Sequence, residues 1–413
     1  MAHFDTVIVG AGHGGTAVAD QLRRHKYEGT IGIVEAQPGL PYERPHLSKG
    51  ALYAEGTRPK VPLRGDKWLR TRRVTLLGGA GVATVDAGER RLTLSCGMEI
   101  GYGKLVLATG VQPRQPSYSA RVPMALGTPA DARRVFDALR AIRSLAVVGG
   151  GFVGLEVASA AAARGIGVFI FEREDRLLKR ALGADVSETI RRAHEGAGAT
   201  VLLGSAVDDI VRLDDGGYRI VCGDRNVVVD EVLAGVGSVP LLPAFKGRTP
   251  RLDNGFVVTG RHGTTDVEGV YAVGDVARIV ADDGAPLPYS PCIENALHSA
   301  EMAARHIAGS PAGGRAYVQI LWTDQMGLKV RSAGSMAGAE AAAERIDLDG
   351  AGNAYVVICR DARNVVTGME SVNFPKVQTV GKRAVSEEWT VDRFIDQVIN
   401  PDRDVANHPD KVS

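Results

Sequence analysis

Val7-Ile-Val-Gly-Ala-Gly-His-Gly-Gly-Thr16 decides how this chain folds. An apolar run breaks into Gly10-x-Gly12-x-x-Gly15, and helix-like spacing follows from about Thr16 to Tyr27. A second apolar run, Ile31-Gly-Ile-Val-Glu35, closes the segment. The order is strand, tight turn, helix, strand. Gly10 permits the turn, Gly12 lets the main chain approach a pyrophosphate, and Gly15 lets helix and strand pack closely. The helix start offers free N–H groups and a partial positive charge to the phosphates. Glu35 comes twenty residues after Gly15, where a carboxylate accepts hydrogen bonds from an adenosine ribose. A glycine-rich loop alone is often only a loop; with strand, helix and terminal acid in place it marks a dinucleotide site.

The same device recurs. Leu145-Ala-Val-Val-Gly-Gly-Gly-Phe-Val-Gly-Leu-Glu156 carries Gly149-x-Gly151-x-x-Gly154 after an apolar strand. An alanine-rich helix is expected to about Ala163, then the strand Gly165-Ile-Gly-Val-Phe-Ile-Phe-Glu172. Two fingerprints, each in a complete strand–helix–strand setting, are far more specific than one. They imply two dinucleotides, or two halves of a relay between them. A carboxylate ending the second strand favours a ribose 2′-hydroxyl and repels a 2′-phosphate. Glu172 therefore points to NADH, whereas Arg173 beside it is the residue that would suit a phosphate.

Composition narrows the partners. The chain has 413 residues, enough for two or three domains, and 49 basic against 48 acidic side chains leave a net charge of +1. No polyanion is implied, so no nucleic-acid role is expected. No apolar run reaches the length of a bilayer span, and the N-terminus enters a strand too soon for a signal peptide. A soluble, cytoplasmic protein is expected. Cys96, Cys222, Cys292 and Cys359 form no C-x-x-C pair and no zinc spacing.

Between and beyond the fingerprints the reading is coarser. Pro38 to Lys49 is proline-rich, with Leu47-Ser-Lys49 able to start a helix toward Leu52. From about Val61 to Leu107 short strand-like runs are expected. Lys104-Leu-Val-Leu-Ala-Thr-Gly110 suits a parallel sheet edge at which Gly110 meets a phosphate-bound ligand. A helix is predicted over Asp131–Arg143 and another over Val186–Ala197. Gly269-Val-Tyr-Ala-Val-Gly-Asp275 ends a buried strand on an aspartate that can contact a ribityl hydroxyl or a pyrophosphate. After a turn-rich boundary at Ser310–Gly314, a small α+β unit is expected. Its strands fall near Val318–Trp322, Leu328–Ala333, Ala354–Arg360 and Val365–Ser371, and its helices near Val377–Glu388 and Val391–Ile399. The fold class is α/β, two Rossmann-like units with this C-terminal α+β domain.

The assembled motifs resemble a known family. They are the glycine turn at 10–15, Arg44-Pro-His-Leu-Ser-Lys49, Leu107-Ala-Thr-Gly110, Gly149–Glu156, Tyr271-Ala-Val-Gly-Asp275 and Trp322-Thr-Asp-Gln325. The family is the FAD-dependent NADH:ferredoxin reductases of the putidaredoxin reductase type, which feed bacterial P450s and Rieske oxygenases and share the glutathione reductase fold. The resemblance implies an FAD domain over 1–110 and 236–316, an NADH domain over 111–235 and a C-terminal α+β domain over 317–413. By position, Gly10, Gly12, Gly15, Glu35, Arg44, Lys49, Gly110 and Asp275 would hold FAD, and Gly149, Gly151, Gly154 and Glu172 would hold NADH. Lys49 and Glu156 would pair close to the flavin N5 and the nicotinamide. Trp322 would lie near the isoalloxazine on the face meeting the ferredoxin; the plainer alternative is a core tryptophan. Two departures stand out: His46 replaces a usual proline, and Pro291-Cys292 occupies the place of a usual glutamate beside the flavin.

The implied activity is electron transfer from NADH through FAD to a [2Fe-2S] ferredoxin, met through a small transient surface. Arg64, Lys67, Arg70, Arg72, Arg73, Lys329 and Arg331 are basic candidates for that surface. No metal site and no membrane partner are expected, and the oligomeric state stays open. A disulfide reductase needs a cysteine near the flavin, and none lies between Glu35 and Lys60. Direct reduction of oxygen, a quinone or rubredoxin, and a regulatory NADH-binding flavoprotein, remain the alternatives.

Overall fold

In a computed structural model, residues 1–49, 52, 62–281, 283–287, 291–310, 317–336 and 343–399 are described. The helix expected from Leu47 toward Leu52, the turn at 311–314 and the tail after Pro401 lie wholly or partly outside them. The chain divides into two compact units: Met1–Leu47 with Arg58–Pro113 and Ser238–Tyr317, and Ser48–Thr57 with Arg114–Gly237 and Val318–Ser413.

The first unit is built on a mixed sheet whose central strands are parallel. Strands Val74–Gly78, Ile31–Glu35, Ala2–Val9 and Glu99–Leu107 run side by side in that order, and Val270–Ala272 pairs with the C-terminal half of Glu99–Leu107. The last of these was expected at an edge; it lies inside, because it pairs with Ala2–Val9 along one side and with Arg91–Leu94 and Val270–Ala272 along the other. Val7, Ile8, Ile33, Leu105 and Val106 are wholly or almost wholly buried, each contributing roughly 1.5–3 kcal/mol of transfer energy. Helices His13–Arg24 and Ile293–Ile307 pack on one face through Ala17, Val18, Leu22, Ala300, Ala303 and Ala304.

The second unit repeats the plan with a smaller sheet. Thr200–Leu202, Gly167–Phe171, Ser144–Val148 and Glu231–Ala234 form four parallel strands in that order. Helix Phe152–Ala162 is buried over most of its circumference, which suits its alanine-rich sequence. The C-terminal part is a five-stranded antiparallel sheet ordered Ile320–Gln325, Leu328–Gly334, Val366–Val372, Tyr355–Arg360, Ala343–Asp347. Helices Val377–Ser386 and Val391–Ile399 cover it, with Trp389 and Phe394 in the core.

A buried carboxyl joins the two parts of this unit. Glu370, fully buried, accepts from the Gly183 N–H with both oxygens, at 2.9 and 3.0 Å, at the start of helix Ala184–Gly196. Burial pushes its pKa up to about 7, against the pull of the Gly183 amide and the nearby Arg176 guanidinium. Because the folded value exceeds the unfolded one, the stabilisation is complete below the unfolded value of about 4.5 and is lost as pH rises from there to about 7. Urea unfolding of wild type and Glu370→Gln at pH 5 and pH 8 is expected to shift relative stability toward the glutamine variant, by on the order of 3 kcal/mol.

Candidate functional site

The two glycine turns are copies in atomic detail. Gly10 has φ +105° and Gly149 φ +103°, where only glycine is comfortable. A Cβ on Gly10 would stand 2.4 Å from the Ala108 carbonyl oxygen, and one on Gly149 would stand 2.5 Å from that of Gly235. The strand ends Ala108–Gly110 and Gly235–Gly237 therefore press their main chains against the first glycine of each turn. A Cβ on Gly15 would fall 1.9 Å from Gly10 O, and one on Gly154 would fall 2.8 Å from Gly149 O. Gly12 differs: nothing lies within 4 Å of its absent side chain. Gly12 and Gly151 cap helices that have no side-chain cap and no acidic residue in the first turn, leaving amides free for an anion.

Glu35 and Glu172, at the ends of their strands, each hold two main-chain amides. Glu35 accepts from Ala11 N at 2.8 Å and Gln37 N at 2.9 Å; Glu172 accepts from Gly150 N at 2.6 Å and Glu174 N at 2.9 Å. Each carboxylate thus clamps the middle of its own glycine turn while keeping lone pairs for a ribose. Arg173 is exposed and lies 3.4 Å from Glu174, which also meets Lys179 at 3.5 Å. Glu172→Gln keeps one acceptor and loses the charge. It is expected to raise the KM for NADH about tenfold, the worth of a charged hydrogen bond, in steady-state kinetics at fixed acceptor.

The remaining first-unit residues converge on the first turn's sheet. Arg44, in the short 3-10 turn Arg44–Leu47, donates through Nη1 to Val111 O at 2.7 Å and lies 3.7 Å from where a Gly110 Cβ would be. Asp275 follows Gly274 (φ +70°), whose N–H donates to Ser299 Oγ at 2.9 Å. Burial pushes Asp275 up to about 6, with Arg44 pulling it down. Thr109 Oγ1 and Asn295 Nδ2 are buried with no hydrogen-bond partner among the described residues. Buried polar atoms of this kind call for a polar occupant. Orphaned atoms, the open Gly12 and the uncapped helix fit FAD; the matching Gly151 turn with Glu172 fits NADH. Cys292 caps helix Ile293–Ile307, its Sγ accepting from Asn295 N at 3.4 Å and lying 3.6 Å from Tyr317 OH. Among the described residues Cys96, Cys222 and Cys359 form no disulfide.

Glu156, on the helix that the second turn begins, is 2 % exposed. A charge so buried must be paired. Lys49 Nζ stands 2.7 Å from its Oε1, Thr323 Oγ1 donates to the same oxygen at 2.7 Å, and Ser48 Oγ donates to Oε2. The structure thus brings Lys49, Glu156 and Trp322 together, since the Lys49 ammonium sits 5.8 Å above the Trp322 ring centroid. Trp322 is half-buried and outside the C-terminal core, which is filled by Trp389 instead. Ser48 and Thr323 were not singled out as Glu156 partners from sequence. The signal for Thr323 was a polar residue at an inward position of strand Ile320–Gln325, where Leu321, Thr323 and Gln325 are buried in alternation.

Residues 4–306 match the family described as pyridine nucleotide-disulphide oxidoreductase, and residues 320–407 match the reductase C-terminal family. The chain belongs to the pyridine nucleotide-disulphide oxidoreductases. Its fold is of the glutathione reductase type with a C-terminal α+β domain. Among its relatives, the ferredoxin–NAD(+) reductase component of the p-cumate 2,3-dioxygenase system of Pseudomonas putida is 34% identical over 406 residues, 97% of this chain and 98% of that protein. Rhodocoxin reductase of Rhodococcus erythropolis is 31% identical over 410 residues, 98% of this chain and 95% of that protein. The ferredoxin reductase for the CYP199A2 system of Rhodopseudomonas palustris superposes with a TM-score of 0.84 at 27% identity, over 94% of this chain and 96% of its own. In the covalent putidaredoxin reductase–putidaredoxin complex, the match has a TM-score of 0.83 at 26% identity and covers both chains fully. No described helix is long and apolar enough to cross a membrane.

Proposed function

We propose that this chain is an NADH-dependent ferredoxin reductase that supplies electrons, through a [2Fe-2S] ferredoxin, to a P450 or Rieske-type oxygenase. The observation that carries the reading is the ion pair that Lys49 makes with the buried Glu156, which lies on the helix of the second glycine turn. It is supported by relatives along nearly the whole chain that are named as ferredoxin reductase components of dioxygenase or O-demethylase systems. FAD, when bound, accepts a hydride from NADH and releases the electrons one at a time. The protein's own share is to hold, orient and tune. Gly10, Gly12, Gly15, Glu35, Arg44, Gly110 and Asp275 would hold the flavin nucleotide; Gly149, Gly151, Gly154 and Glu172 would hold NADH. Lys49 and Glu156 fix a charge pair for the nicotinamide and flavin, and Trp322 stands beside that pair. The domain bounds 1–110 with 236–316, 111–235 and 317–413 fit this division, and a cytoplasmic setting fits an electron carrier of this kind.

The alternative of a disulfide substrate is disfavoured because no cysteine lies between Glu35 and Lys60. Anaerobic titration of the yellow protein with NADH and with NADPH, followed by a [2Fe-2S] ferredoxin, tests the proposal. Bleaching by NADH and recovery of the flavin spectrum on adding oxidised ferredoxin are expected. A flavin that NADH leaves oxidised sinks it.

A further inference from the structure

The contacts of Glu156 extend beyond Lys49. Thr323 Oγ1, which donates to Glu156, accepts from Gln325 Nε2 at 3.0 Å, and Gln325 Oε1 meets His194 Nε2 at 2.8 Å. Three separate stretches of chain are linked: helix Phe152–Ala162, helix Ala184–Gly196 and strand Ile320–Gln325. Every member is buried, with Thr323 and His194 at 0% exposure.

The direction of this chain is forced by chemistry. A carboxylate can only accept, so the single Thr323 hydroxyl proton points at Glu156. The Thr323 oxygen must then accept from the next group, which places the Gln325 amide nitrogen toward it and the amide oxygen toward His194. That oxygen also can only accept, so the imidazole carries its proton on Nε2. Nδ1 is buried with no hydrogen-bond partner among the described residues, which suits a bare nitrogen better than a buried N–H. Burial also holds His194 below the ordinary imidazole value, against the Gln325 hydrogen bond, so the ring is neutral.

We propose that His194, Gln325 and Thr323 are positioning residues, a one-way hydrogen-bond chain that fixes one oxygen of Glu156 and through it the ammonium of Lys49. None of the three is among the residues assigned to a nucleotide; they act through Glu156. The inference rests on the reading of Lys49–Glu156 as part of the NADH-oxidising machinery.

Two measurements test it. In ¹⁵N-histidine-labelled protein, with and without FAD at pH 7, the resonance lost in His194→Asn is expected to show the Nε2–H tautomer. An Nδ1–H tautomer or a doubly protonated ring overturns the chain, and this readout needs no variant to be active. In stopped-flow reduction, Thr323→Val is expected to lower the limiting rate of flavin reduction about tenfold at unchanged apparent NADH affinity. Thr323→Ser, which keeps the hydroxyl, should return it to within about twofold. A Thr323→Val enzyme that folds and reduces at the wild-type rate also overturns the proposal; if that variant fails to fold, the tautomer decides. Failure of the wild-type flavin to be reduced by NADH would strike the assigned activity instead, and the histidine spectrum would still report on the chain.

Discussion

Glu156→Gln is expected to slow NADH-driven flavin reduction by about a hundredfold, a loss of roughly 2–3 kcal/mol. The substitution keeps volume and one acceptor, on the side shared by Thr323 and Lys49, but it removes the charge that pairs with Lys49 and turns an amide NH₂ toward the Ser48 hydroxyl, a donor in the native pair. Breaking a fully buried ion pair by removing one partner costs about 3–5 kcal/mol. Lys49 keeps 22% of its side chain exposed, so water recovers part of that cost and the lower figure applies. Lys49→Met should produce a similar loss from the other side. The double variant should be little slower than either single one, because each single change already destroys the pair. Stopped-flow rates for the two single variants and the double variant test this. Additive losses would mean that the two side chains act independently and that their 2.7 Å contact is incidental.

What could be read from the chain beforehand followed from how local each feature is. A glycine turn is a property of about six consecutive residues, so both turns, their helices and the terminal acids were legible in the order of the letters. The clamp that Glu35 and Glu172 place on Ala11 and Gly150 was not, since it joins residues 24 and 22 positions apart. Helix Asp66–Arg72 went unrecognised because it buries no residue fully and so has no apolar stripe. Asp20 holds it in place, meeting Arg72 at 2.7 Å and the Trp68 indole at 3.4 Å. Strand Ala343–Asp347 was missed for a related reason: it is a sheet edge with mostly exposed residues, including Glu344 and Arg345, the charged composition that edges favour. His194 was the subtlest case. It lies on the buried face of its helix with Val186 and Ile190, and only the fold brings it to Gln325.

Gly15→Ala and Gly12→Ala are expected to fail for different reasons, which separates folding from cofactor binding at a single turn. At Gly15 the new methyl would fall 1.9 Å from the Gly10 carbonyl oxygen and 3.0 Å from its carbon. Both atoms are main chain, so helix His13–Arg24 must move off strand Ala2–Val9. The cost should reach about 3 kcal/mol, at the upper end for overpacking, and the turn that would receive a pyrophosphate is displaced with it. The protein should lose thermal stability and purify colourless. Gly12 has φ −70°, open to any residue, and no atom within 4 Å of its absent side chain. Gly12→Ala should therefore unfold like wild type when both are stripped of flavin. Its affinity for added FAD should nevertheless fall at least tenfold, because the methyl occupies the space through which a phosphate reaches the amides of the helix start. Thermal unfolding of the flavin-free proteins, paired with fluorescence titration of FAD, distinguishes the two. Equal FAD affinity in Gly12→Ala and wild type would show that the open face of this turn is not where the dinucleotide lies.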